Sequence, residues 1–81
     1  MSRRLEGPRT VGSLRVGAIA ETCIRPLRVA GTVAVAGWKR PLAVLFASGG
    51  EVTAFDLHGA PLDPEAVEAL CPGACAAMLR D

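Results

Sequence analysis

Ser48-Gly49-Gly50-Glu51 is the stretch that most restricts how this chain folds. A Gly-Gly pair supplies the two positive φ angles of a primed two-residue hairpin turn, and here it lies between the runs Leu42–Ala47 and Glu51–Phe55. The turn sets a register: Ala47 with Val52, Phe46 with Thr53, Leu45 with Ala54, Val44 with Phe55. Directly opposed residues share a face. One face therefore gathers Leu42, Val44, Phe46 and Phe55, and is the expected core. The other carries Leu45, Val52 and Ala54, and is the expected outer face.

A second strand pattern precedes this hairpin. Leu27, Val29, Gly31, Val33 and Val35 alternate with Arg28, Ala30, Thr32, Ala34 and Ala36, the period of a strand rich in β-branched residues. Gly31 reads as a bulge or a close backbone approach. Gly37-Trp38-Lys39-Arg40 reads as a four-residue reversal, closed by Pro41, which biases Arg40 away from helix. That loop pairs Val35 with Leu42 and Val33 with Val44, adding Val29, Val33 and Val35 to the expected core face. Leu27–Leu57 is thus predicted to be a three-stranded meander. Its hairpin patterning alone loosely resembles small β-domains of bacterial secretion and pilus assembly proteins, and no site residue carries over from that likeness.

The flanks are simpler. Residues 1–12 hold three arginines with Gly7-Pro8 and Gly12, and predict a flexible basic arm. Leu14, Val16, Ala18 and Ala20 alternate, so residues 14–24 are read as a strand, with a helical turn over Leu14, Ala18 and Glu21 as the alternative. Asp56-Leu57-His58-Gly59 predicts a tight turn, and Ala60-Pro61-Leu62 a short edge segment. Asp63 is a good N-cap, Pro64 suits the first helical position, and Glu65 complements the helix dipole. Leu62 and Val67 have the spacing of a hydrophobic staple. Pro72-Gly73 ends that helix, and 74–80 predicts a second one.

These elements make residues 13–81 one small α+β domain. It is a three- to four-stranded antiparallel meander with one or two short C-terminal helices, and the alternative is a half-open SH3-like or OB-like barrel. No apolar run approaches the ~18 residues of a membrane span. The N-terminus lacks the apolar region of a secretory signal. An odd count of three cysteines argues against a disulfide framework. The expectation is a cytoplasmic protein with no membrane span.

Charge is segregated. Residues 1–40 carry eight basic side chains against Glu6 and Glu21, a net +6; residues 41–81 carry six acidic ones against Arg80, a net −5. Such asymmetry fits either a charged partner or neutralisation between the halves.

Candidate sites follow from residue type. Trp38, Lys39 and Arg40, at the expected hairpin tip, are the enriched types of a protein hot spot. With Leu45 and Val52 on the expected outer face they form a candidate partner surface, for a larger protein or for self-association. The same tip, joined by Arg3, Arg4 and Arg9, could stack on bases and meet phosphates. A Trp folded back on the sheet end is the third reading. Cys23, His58, Cys71 and Cys75 form a possible zinc set, although only one C-x3-C knuckle is present and Cys71 lies on an apolar helix stripe. Neither glycine-rich phosphate-loop pattern occurs. No nucleophile is tied to His58 by a local motif, so no catalytic residue is assigned. The expected function is a non-enzymatic interaction module or small accessory subunit of a larger complex. Nucleic-acid binding and a zinc-stabilised module are the alternatives, and no small-molecule substrate is evident.

Overall fold

A computed structural model describes residues 2–80, excepting the side chains of Leu27, Val29 and residues 32–35. Five strands are followed by two short helices: β1 Ser2–Val11, β2 Leu14–Val29, β3 Thr32–Ser48, β4 Glu51–Asp56, β5 Pro61–Leu62, α1 Pro64–Leu70 and α2 Ala74–Leu79. The strands form one open antiparallel sheet in chain order. The α+β class and the meander are as expected, with two more strands than the minimum.

The Gly49-Gly50 turn sets the expected register. Ala47 opposes Val52, Phe46 opposes Thr53, Leu45 opposes Ala54, and Val44 opposes Phe55. Both glycines have positive φ, 59° and 83°. The turn after β4 also forms as read: Asp56 Oδ1 accepts hydrogen bonds from His58 N at 2.8 Å and Ala60 N at 2.9 Å. Asp63 caps α1 through the Ala66 N–H at 2.8 Å, with Pro64 behind it.

The first reversal lies elsewhere. β3 runs unbroken through Gly37, Trp38, Lys39 and Arg40, and the chain turns at Ala30-Gly31 instead. Ala30 has φ 49° and Gly31 φ 79°, so both residues sit in the left-handed region of a primed turn. Alanine is a poor residue for that position, which is why the turn has no sequence signal. Val35 therefore opposes Pro26 and Val33 opposes Arg28, not Leu42 and Val44. The expected core roles of Val29, Val33 and Val35 lie outside the described side chains.

Residues 2–11 are also corrected, from a solvated arm to the edge strand β1. It pairs with β2 from Ser2↔Thr22 to Val11↔Leu14, with a bulge between Glu6 and Arg9 that absorbs Gly7-Pro8. Pairing along β2 offsets the local breaking tendency of that dipeptide.

The core lies on the face opposite to the one expected. Ile19, Ala43, Leu45, Ala47 and Ala54 are buried beneath Val67, Cys71, Ala74 and Met78 of the helical segment. Leu45 and Met78 are fully buried. Small residues decide this choice, because they let the helices approach. A Cβ on Gly17 would stand 2.7 Å from Met78 Sδ, so the missing side chain is the seat of that methionine. Val44, Phe46 and Phe55 stay half-buried on the other face, where the two rings meet edge to face at 6.2 Å.

Pro41 adds a second effect. It has no N–H for the ladder, and β3 accommodates it at a bulge: Ile19 opposes Ala43 but Ala20 opposes Pro41, leaving Leu42 as the additional residue. Leu42 then packs at the edge of the helical core. The bulge inverts the alternation of β3. Val44 and Phe46 face away from the helices, whereas Arg40 and Trp38, also even-numbered, face the same side as Glu21 and Cys23.

Beyond Thr22, the last partner of β1, β2 and β3 continue as a two-stranded ribbon. Seven further residues of β2 extend it by roughly 23 Å. The molecule measures 55 × 23 × 21 Å, and its radius of gyration is 15.7 Å. A compact chain of this length would have about 12 Å.

Candidate interaction surface

Two ion-pair clasps hold the root of the ribbon, one on each face. On the helical side, Arg3 of β1, Glu21 of β2 and Arg40 of β3 stand in one cross-strand row. Glu21 is 1% exposed. Its carboxylate accepts from Arg40 Nε at 3.0 Å and Nη2 at 2.9 Å, and from Arg3 Nε at 3.3 Å. On the other side, Lys39 of β3 pairs with Glu6 of β1. Glu6 lies in the row of Ala18 and Lys39 in the row of Thr22, so this pair spans the strand between them across Ala20. Ala20 is 4% exposed, and a larger side chain there would obstruct the pair.

The clasps shape the titration of both acids. The Arg40 hydrogen bonds, opposed by burial and aided by Arg3, hold Glu21 below its ordinary value of 4.5. The Lys39 hydrogen bond does the same for Glu6. A carboxylate depressed on folding adds stability above its ordinary value and loses it as pH falls through the lower, folded value. The ribbon root is therefore expected to loosen below pH 4.5. Trp38 is the only tryptophan, and its emission should shift in that range, while Glu21→Gln should remove most of the transition. A Trp38 signal flat down to global unfolding would show that the Glu21 clasp does not organise the ring.

Trp38 stands on the helical side, the face of the Glu21 clasp. It opposes Cys23, and the Arg40 guanidinium lies over its ring at 5.1 Å. A cation so placed at an exposed ring contributes about 0.5–1 kcal/mol. Trp38 is still 43% exposed. With Cys23, Arg25, Ala36 and Gly37 it lines a shallow hollow on the ribbon. The chemistry on offer is an aromatic plane bordered by two guanidiniums, one tethered by Glu21.

The expected site residues separate accordingly. Trp38, Lys39 and Arg40 are neighbours, but in mid-strand and not at a tip; Lys39 points to the opposite face. Leu45 is removed from the candidate surface because it is fully buried under the helices, and Val52 packs half-buried against the same core. Of the expected phosphate-binding set, Arg3, Lys39 and Arg40 are engaged with carboxylates, while Arg4 and Arg9 lie on the exposed β1 edge.

The possible zinc set is not assembled. Cys23 lies on the ribbon, His58 in the β4–β5 turn, Cys71 in the core and Cys75 in α2. Among the described residues no group of three or more His, Cys, Asp or Glu side chains is placed to hold a metal ion. Burial and the neighbouring Glu68 push the Cys75 thiol up, so it is a poor nucleophile at neutral pH. Glu68 itself accepts from Gly73 N at 2.6 Å and Cys75 N at 3.3 Å, which joins α1 to the start of α2.

Glu21 is the residue that sequence reasoning missed. One signal was present: it is the only acidic residue between Glu6 and Glu51, in a stretch rich in arginine. No protein family, curated protein or solved structure matches this chain. Among the described residues no helix is long and apolar enough to cross a membrane.

Proposed function

We propose that this chain is a non-enzymatic protein-interaction module, or a small accessory subunit of a larger complex, that docks a partner on the Trp38 face of its ribbon. The observation that carries this reading is the exposure of Trp38 under a guanidinium already held in place by Glu21. A pre-set Arg40 loses little side-chain freedom on binding, which lowers the cost of association. The fitting partner segment carries an apolar side chain beside a carboxylate, since Arg25 and Arg40 border the ring. The three free cysteines agree with a reducing, cytoplasmic setting for this role.

Nucleic-acid binding is the second reading, favoured by the basic residues along β1 and the ribbon. The ion pairs of Arg3, Lys39 and Arg40 weigh against it, because a phosphate would have to displace Glu21 or Glu6.

Affinity capture from the host with wild type and Trp38→Ala tests the proposal. At least one captured protein should be lost from the variant, with affinity falling about 30-fold, the size of a hot-spot truncation. An identical captured set would overturn it. A captured nucleic acid released steeply by salt would move the site to the second reading.

A further inference from the structure

The sheet has helices on one face only, and the bare face has the larger side chains. Val16 and Ala18 of β2, Val44 and Phe46 of β3, and Phe55 of β4 are all half-buried there, outside the core cluster. Burying alanines while leaving two phenylalanines partly in water is a poor use of the apolar content of a small chain. The same face continues along the ribbon, because β2 carries no bulge: Ala18, Ala20, Thr22 and Ile24 follow one another on it, with the Lys39–Glu6 pair crossing it over Ala20. Ile24 is 68% exposed. An unsupported two-stranded ribbon is marginal in water.

We propose that the occupant of this face is a second copy of the chain, packed sheet to sheet about a two-fold axis that runs along the strands between β2 and β3. Three features select this axis. The first is shape. The axis lays β2 of one copy over β3 of the other within the same row, so Ile24 meets the partner's Gly37 and Val44 meets the partner's Ala18. These residues already share rows within one chain, Ile24↔Gly37 and Ala18↔Val44. Both of these contacts pair a large side chain with a small or absent one, and the two-fold repeats them, as an isologous interface requires; in the neighbouring positions Phe46 lies over the partner's Val16 and Phe55 over the partner's Glu6.

The second feature is charge. The axis lays β1 over β4 of the partner. Arg9 lies in the row of Val16, Phe46 and Thr53, and Glu51 lies one same-face row away, opposite Ser48. Both are exposed. Arg9 of each copy thus comes within reach of Glu51 of the other. A two-fold axis across the strands would instead stack β1 on β1, and gather Arg4 and Arg9 of both copies along one edge.

Area is the third. Strands β1 to β4 of the body offer roughly 450 Å² per copy, and the ribbon adds roughly 200 Å². A stable interface needs about 800 Å² from each partner. Only the arrangement that stacks the ribbons as well approaches that figure. In it the two ribbons project together, and their Trp38 faces point outward and stay available.

Sedimentation equilibrium on the full chain across a wide concentration range reads this directly. Wild type should form dimers of the 8.4 kDa chain. Phe46→Arg should weaken dimerisation at least 100-fold. Ile24→Asp, at an exposed position, should weaken it about 10-fold or more. Arg9→Glu and Glu51→Arg should each cost up to about five-fold, and their combination should recover most of that loss. A wild type that stays monomeric overturns the proposal. So does a dimer unaffected by Ile24→Asp, which would leave the ribbons apart. If Phe46→Arg fails to fold, Ile24→Asp and the charge exchange decide the matter. None of these outcomes depends on a captured partner, so the Trp38 reading stands or falls separately.

Discussion

Leu45→Ala is expected to destabilise this chain by about 2–5 kcal/mol, the range for emptying a fully buried leucine site. A domain of this size has a total stability of about 4–12 kcal/mol, so the variant should be largely unfolded or should melt far below wild type. The reason is local. Leu45 lies at the centre of the helical core, between Gly17 of β2 and Ala54 of β4, with no exposure to solvent. Its strand neighbours Gly17 and Ala54 are too small to fill the cavity left behind. Urea denaturation followed by far-UV circular dichroism measures the effect. Phe46→Ala is the informative control: it lies one residue away on the bare face and should cost the monomer clearly less. Equal losses at both positions would mean that the helices do not distinguish the two faces.

Gly37→Ala should act on the ribbon and spare the body. A Cβ at Gly37 would fall on the Cys23 carbonyl oxygen and lie 3.2 Å from Ile24 Cα. These are backbone atoms of the opposing strand and cannot rotate aside as the tip of a methionine could. Relief requires β2 and β3 to separate locally, at about 1–3 kcal/mol for an overpacked site. Amide hydrogen exchange should show protection from Cys23 to Trp38 falling about 10-fold or more, with β4 and the helices little changed. Because the Trp38 hollow lies on this part of the ribbon, partner capture should weaken with it. Unchanged protection along the ribbon would show that the strands are not in such close approach.

Much of the C-terminal half was legible residue by residue. Gly49-Gly50, Asp56, and the Asp63-Pro64 pair each act through their own backbone geometry or a hydrogen bond within four residues. Such signals survive in any tertiary context, and they set the β3–β4 register, the β4–β5 turn and the start of α1. The N-terminal half was less legible because its decisive interactions are non-local. Ala30-Gly31 is a weak turn pair that wins because it gives β2 and β3 a long shared ladder. Gly37-Trp38-Lys39-Arg40 resembles a loop before Pro41, yet the proline is absorbed by a one-residue bulge. β1 contains a local breaker and is a strand because β2 offers it partners.

The site was half legible for the same reason. Residue type marked Trp38 and Arg40, since an exposed indole beside a guanidinium is scarce in a chain with so few aromatics. Their placement was not marked, because the bulge at Leu42 inverts the face on which they stand. Glu21 acquires its role only when β1 and β3 bring Arg3 and Arg40 to either side of it.

By itself, the sequence determined the class of this protein. Alternating aliphatic runs, a Gly-Gly turn and a capped terminal helix suffice for a small antiparallel sheet followed by helices, because period, φ preference and capping act over a few residues. Tertiary structure decided which face became the core. Both faces of β3 are apolar, so alternation could not rank them, and side-chain size pointed to the phenylalanines. Close approach of the helices requires small residues beneath them, and Gly17, Ala43, Ala47 and Ala54 provide that surface only once β2, β3 and β4 stand side by side.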